Sequence, residues 1–163
     1  MRIVYRVLGY LIAALVAVQA AAVAYGFFSL GKYIEGGGSI DQAAMNNPNF
    51  TFPGVEGLAV HGMFGTMVVP GVALLFLIVG IITQVTTKIR GALLWSVITL
   101  VVTVVQVALG LGAHSVPQLG MLHGIVALGL FAVAFMAAHR IGRASAPTTV
   151  EAAPARSAEP VAG

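Results

Sequence analysis

Four long apolar runs constrain the fold of this chain more than any other feature of its sequence. Each run has roughly 20 residues or more, which is the length an α-helix needs to cross the hydrocarbon core of a bilayer. A helix is the expected conformation, because lipid cannot satisfy the backbone N–H and C=O groups of an irregular segment. The four runs are Val7–Leu30, Leu58–Thr83, Ala92–Ala113 and Leu119–Ala138.

The composition supports the same interpretation. Of the 163 residues, 59% are hydrophobic and only 8% are charged, and the mean hydropathy is +0.99. A soluble domain of this size keeps a charged exterior and cannot hide so much apolar surface. We therefore expect an all-α integral membrane protein, an up-down-up-down four-helix bundle over residues 1–143. The segment 144–163, rich in Ala, Pro, Ser and Thr, is predicted to be a disordered tail.

The basic residues indicate the orientation of this bundle. Of the eight Lys and Arg side chains, only Lys32 falls on one side of a four-span topology, and all the others fall on the opposite side. The positive-inside rule then places both termini and the tail in the cytoplasm. We expect a multi-pass protein of the cell inner (plasma) membrane, with the loops at 32–57 and 114–118 facing outward. The residues on the cytoplasmic side are Arg2, Arg6, Lys88, Arg90, Arg140, Arg143 and Arg156.

The first apolar run admits a second interpretation, as a cleavable signal peptide. Arg2 and Arg6 resemble the basic start of such a peptide, and Val18-Gln19-Ala20 resembles a small-residue cleavage site. The run is longer than the apolar region of about 7–15 residues that is usual in signal peptides. Its length favours a retained helix.

Several classes of site are excluded or disfavoured. The chain has no cysteine, which excludes disulfides, thiolate metal sites and covalent haem attachment through a Cys-x-x-Cys-His motif. The net charge of +3 does not indicate nucleic acid as a partner, because the basic residues flank apolar runs. Coupled transport is disfavoured because few ionisable side chains lie inside the spans.

Two histidines lie at matching positions near the outward ends of the second and fourth spans. His61 and His123 are each followed directly by a glycine. An imidazole is costly in hydrocarbon unless it has a partner, so an ionisable residue inside a span indicates a functional site. The two spans run in the same direction, and both rings should therefore lie at a similar depth.

The bundle topology indicates what the two rings could hold. In up-down-up-down order the second and fourth spans lie on a diagonal. With neighbouring axes roughly 8–10 Å apart, that diagonal is about 11–14 Å, which leaves room for a metal bonded to an imidazole on either side. We predict that His61 and His123 are the axial ligands of one b-type haem.

Small and polar residues near the histidines extend this predicted site. Glycine or alanine next to a histidine, or four residues after it, permits the close backbone approach that a porphyrin requires. The glutamine of the third span, at position 106, could bond to a ligand or to a histidine ring, or pair with Gln19 as helix–helix contact. The histidine after the third span could neutralise a haem propionate or lie in water. The predicted cofactor-binding residues are Gly65, Gln106, Gly110, His114, Gly124 and Ala127.

A competing site would use three histidines and one carboxylate. His61, His114, His123 and Glu56 could form a tetrahedral centre for zinc or copper. This arrangement requires His114 to fold inward and the other two histidines to lie closer together than a porphyrin would hold them. Glu56 could instead orient His61.

Two stretches of this chain resemble one half of the haem A synthase family. They are Val105–Gly110, which contains Gln106, and Leu122–Leu128, which contains His123. That family has two four-helix halves, each with a glutamine–glycine stretch in its third helix and with histidines opening its second and fourth helices. The resemblance covers the second to fourth spans.

The resemblance implies a four-helix fold with His61 and His123 at the axial-ligand positions, and with Gln106 and Gly110 in the third-helix motif. The chain departs from the family in having one half, no cysteine pair in its first outward loop, and Gly62 where an arginine is expected. It also resembles small four-helix bacterial membrane proteins, a resemblance that implies a fold and no activity.

The sequence thus predicts a membrane b-type haem protein that transfers electrons or handles haem. Its partners would be the lipid bilayer and a membrane redox partner or a second copy of the chain. The alternative is a structural or accessory membrane subunit without a cofactor, whose small-residue faces dock another membrane protein.

Overall fold

The computed structural model describes residues 1–143, and over that range the chain is all-helical. The tail predicted at 144–163, with Arg156, lies outside the described residues. The middle of the second apolar run is a π-helical turn, labelled π1. The helices are α1 (Arg2–Glu35), α2 (Gln42–Asn46), α3 (Val55–Met63), π1 (Phe64–Val68), α4 (Val69–Thr87), α5 (Ala92–Gly112) and α6 (Gln118–Arg143).

Four helical segments are long and apolar enough to cross a membrane, as the sequence predicted. They are α1, the continuous segment Val55–Thr87, α5, and the part of α6 that ends at Ile141. The 34 residues of α1 correspond to about 51 Å of helix, which exceeds a hydrocarbon core of about 30 Å. Helix α1 therefore continues past its apolar run at both ends. The short helix α2 lies in the connection between α1 and α3.

The long helices form two antiparallel hairpins. The first hairpin is α1 with the segment Val55–Thr87, and the second is α5 with α6. Helix α1 packs against α3, α4 and α6, whereas α5 packs against α4 and α6. The second and fourth long helices therefore lie on a diagonal, as expected for up-down-up-down order.

We call the half of the bundle that contains the N-terminus and the end of α6 the terminal half. The helices in this half are closely packed. The Tyr5 hydroxyl donates to the carbonyl of Ala92 at 3.0 Å, and the Tyr5 ring packs on Phe76 with centroids 4.4 Å apart. A Cβ added to Gly80 would collide with Oγ of Ser96, so α4 and α5 are close enough to require glycine there. Most of the buried apolar core lies in this half.

The opposite half, here called the histidine half, is packed differently. Within the first hairpin α1 and α3 are in close contact: a Cβ added to Gly57 would lie 2.6 Å from the carbonyl of Ala22. Within the second hairpin a Cβ on Gly112 would lie 2.8 Å from Leu119. Between the hairpins, however, α3 barely contacts α5. The two hairpins thus separate in this half and leave a space between them.

The π-helical turn lies directly before Pro70. Proline has no backbone N–H and its ring crowds the preceding turn, so a continuous α-helix is interrupted there. The wider turn Phe64–Val68 takes up this interruption. The hydroxyl of Thr66 donates to the carbonyl of Gly62 at 2.7 Å and so provides one of the bonds in this segment. π-Helical turns of this kind occur frequently at functional sites.

Candidate functional site

A cavity of about 580 Å³ lies between the two hairpins in the histidine half. All four long helical segments contribute to its wall, which is mainly apolar. Its volume is within the range of roughly 300–1,000 Å³ that small-molecule pockets have. Every residue that the sequence predicted for the site lines this one cavity, namely His61, Gly65, Gln106, Gly110, His114, His123, Gly124 and Ala127. Their role in binding a cofactor stays a prediction.

The two histidine rings lie close together in the wall of the cavity. The ring centroids of His61 and His123 are 5.9 Å apart and the ring planes are inclined by 76°. A metal bonded to one nitrogen of each ring at about 2 Å would hold the centroids roughly 6.3 Å apart, counting about 1.1 Å from nitrogen to centroid. The observed separation is therefore within a few tenths of an ångström of what one shared metal ion requires.

Each imidazole is oriented by a backbone carbonyl of the other helix in its hairpin. Nδ1 of His61 lies 3.1 Å from the carbonyl oxygen of Gln19. Nδ1 of His123 lies 2.9 Å from the carbonyl oxygen of Gln106. A carbonyl oxygen can only accept, so Nδ1 is the donor in both rings, and in a neutral imidazole this leaves the lone pair on Nε2. This is the tautomer that ligates a metal through Nε2, with the second nitrogen held by a carbonyl.

The two hairpins therefore contribute equivalent pairs, Gln19 with His61 and Gln106 with His123. A glycine lies close beside each pair. A Cβ added to Gly110 would lie 3.0 Å from Nδ1 and Cε1 of His123, and one added to Gly65 would lie 3.2 Å from Oε1 of Gln19. Both glycines allow a side chain of the facing helix to lie against the backbone.

The glutamine side chains give a second indication that the cavity accommodates a ligand. Gln19 is only 7% exposed, and within residues 1–143 neither of its amide atoms has a hydrogen-bond partner. In the same range Oε1 of Gln106 is also buried without a partner. The proposed contact between the two amides is thus not formed. Buried polar groups are nearly always satisfied, so a polar group or water in the cavity is expected to bond to them.

The competing four-ligand metal site is not assembled. In the described part of the chain no three His, Cys, Asp or Glu side chains come together as metal ligands. Glu56 does not orient His61: it lies in the first turn of α3 and accepts a hydrogen bond from the Tyr25 hydroxyl at 3.2 Å. His114 is exposed and lies at the rim of the cavity.

The serine and threonine side chains of the third apolar segment serve mainly to pack α5 against its neighbours. Ser96, Thr99 and Thr103 are buried and donate to carbonyls within α5 itself. Their small side chains let α5 approach its neighbours, and Thr103 also lines the floor of the cavity.

The sequence predicted only a helix contact for Gln19, and its place in the site was missed. Its carbonyl orients His61 and its side chain lines the cavity. A signal for it was present, because Gln19 is the sole amide or charged side chain between Arg6 and Lys32. Such an isolated polar group in an apolar span indicates a functional position or a helix contact.

No protein-family model, curated protein or solved structure matches this chain. Its similarity to a haem A synthase half therefore depends on the residues of the two helix stretches alone.

Proposed function

We propose that this protein is an integral membrane b-type haem protein in which His61 and His123 are the axial ligands of one iron. The observation that carries the proposal is the pair of facing imidazoles, 5.9 Å apart, each with Nδ1 held by a backbone carbonyl. Two such rings on a diagonal of the bundle leave their Nε2 atoms free for a metal between them.

The surrounding residues fit a porphyrin. The cavity is mainly apolar, as the macrocycle requires. Gly65 and Gly110 have no side chain, so their backbone forms part of the cavity wall directly. His114 at the rim is placed to pair with a propionate at the mouth of the cavity. The unpartnered amide of Gln19 provides a hydrogen-bonding group beside the His61 ligand.

The chemistry that a bis-histidine haem supplies is one-electron transfer, at a potential set by its ligands and by burial. The protein's own groups would hold both axial nitrogens in the ligating tautomer and keep bulk water away from them. With both axial positions filled by imidazole, activation of oxygen is not expected. Electron transfer or haem handling is thus the proposed role.

The proposed location is the inner membrane, with both chain ends in the cytoplasm. The basic residues in the first turns of α1, between α4 and α5, and at the end of α6 support this topology. The histidine half, with the loops at 36–54 and 113–117, would then lie toward the outside.

The test is a haemin titration of the detergent-purified protein, followed by absorbance in the oxidised and reduced forms. One haem per chain and a Soret band of the low-spin bis-imidazole type are expected. His139→Ala is the matched control, since His139 lies far along α6 from the cavity. No Soret band, or one that is unchanged in both His61→Ala and His123→Ala, would overturn the proposal.

A further inference from the structure

The cavity opens sideways as well as toward the end of the bundle. Its wall includes Leu111, which is 58% exposed, and Leu128, which is 73% exposed. Side chains exposed to this degree on apolar helices lie on the outer surface of the bundle. The cavity wall thus extends to the outer surface of the bundle beside α5 and beside α6.

Each opening lies in a gap between the two hairpins. The first gap separates α3 and π1 from α5, which barely contact each other. The second lies where the cavity wall passes from α1 to α6, two helices that are otherwise in close contact, as Gly9 is with Ala138. In the histidine half, by contrast, Ala17 and Ala20 of α1 line the cavity and are exposed.

A glycine that directly follows a histidine lies at each gap. Gly62 and Gly124 line the cavity and are exposed, and a Cβ added to either would meet no atom within 4 Å. Glycine at these two positions is therefore not needed for the packing of the helices. We call Gly62 and Gly124 the window glycines.

An independent observation indicates that a ligand enters this space. Gln19 is more than nine-tenths buried and lines the cavity, and within the described residues both of its amide atoms lack a partner. The cavity is thus built to hold a molecule with some polar groups, although its openings face the apolar surface of the bundle.

We propose that the protein exchanges haem with the bilayer through these two lateral openings, at the window glycines. The inference rests on the proposed haem function, and within it assigns the role of haem handling. A planar macrocycle dissolved among the acyl chains can slide edge-on between the hairpins. Its iron then meets Nε2 of His61 on one face and Nε2 of His123 on the other. His61 and His123 would replace the water or other small ligands that the iron carries in the bilayer, and such ligands would return when the haem leaves.

The experiment measures transfer of haemin from preloaded donor vesicles to the full-length apoprotein in acceptor vesicles, followed by growth of the Soret band. In the double variant Gly62→Leu/Gly124→Leu we expect the rate to fall by more than roughly tenfold, since both entrances are obstructed. Each single variant leaves one entrance open and should load at about half the wild-type rate.

Gly71→Leu and Gly129→Leu are the matched controls. Both glycines are exposed, helical and surrounded by open space, but neither lines the cavity. They should load at the wild-type rate. A double window variant that loads as fast as these controls would overturn the lateral entrance. Absence of a Soret band in the wild type would instead overturn the proposed haem function.

A second measurement does not depend on how the leucine variants fold. Because the chain has no cysteine, Gly62→Cys/Gly124→Cys can be labelled selectively by a lipid-soluble maleimide in the bilayer, before haem is added. The labelled protein should load slowly, and the same variant without the label should load faster. Equal rates before and after labelling would overturn the proposal.

Discussion

Alanine at position 110 should weaken haem binding by moving one axial ligand. The added Cβ would lie 3.0 Å from Nδ1 and Cε1 of His123. An unstrained contact needs about 3.5–4.0 Å, so the ring must retreat by roughly half an ångström. A shift of that size takes the bond from Nδ1 to the Gln106 carbonyl, now 2.9 Å, to the edge of hydrogen-bonding range, which ends near about 3.2 Å.

The expected loss follows from that bond. One intramolecular hydrogen bond contributes about 1 kcal/mol net, which corresponds to roughly a fivefold change in affinity. The assay is a haemin titration of Gly110→Ala against Gly129→Ala, in which the new methyl group meets no atom within 4 Å. The control corrects for the general effect of alanine in a helix. Equally tight haem binding by both variants would refute the assignment of His123 as a ligand that its bond to the Gln106 carbonyl holds in place.

Three further predictions concern the ligands and the closed half of the bundle. His61→Ala or His123→Ala alone should convert the oxidised haem from low spin to high spin, visible as a blue-shifted Soret band, because one axial bond is lost. Tyr5→Phe should lower the free energy of unfolding in detergent by about 1 kcal/mol, through loss of its buried hydrogen bond, and leave the haem spectrum unchanged. Gly80→Ala should destabilise the bundle by roughly 1–3 kcal/mol through overpacking against Ser96, and Ser96→Gly should restore part of that loss in the same thermal unfolding assay.

The long helices could be predicted from sequence because lipid leaves an apolar run few alternatives to a helix. The diagonal placement of the segments with His61 and His123 followed from their order and from short connections. The helix ends were predicted less well, since α1 continues in polar residues to Glu35. A hydropathy pattern marks only the apolar run and does not show that the helix continues beyond the hydrocarbon layer of the membrane.

The gathering of the predicted residues in one cavity could be anticipated, but the way the histidines are held could not. The acceptors are the backbone carbonyls of Gln19 and Gln106, and every residue has a carbonyl, so no side-chain pattern marks them. The π-helical turn before Pro70 and the separation of the hairpins depend on packing between helices. A single sequence read for periodicity does not contain that information.

The most direct test of the central claim is the electron paramagnetic resonance spectrum of the oxidised, haem-loaded protein. Two imidazoles on one iron, with ring planes near the observed 76°, predict a strongly anisotropic low-spin ferric signal that disappears in either histidine variant. A high-spin ferric signal in the wild-type protein would contradict bis-histidine ligation.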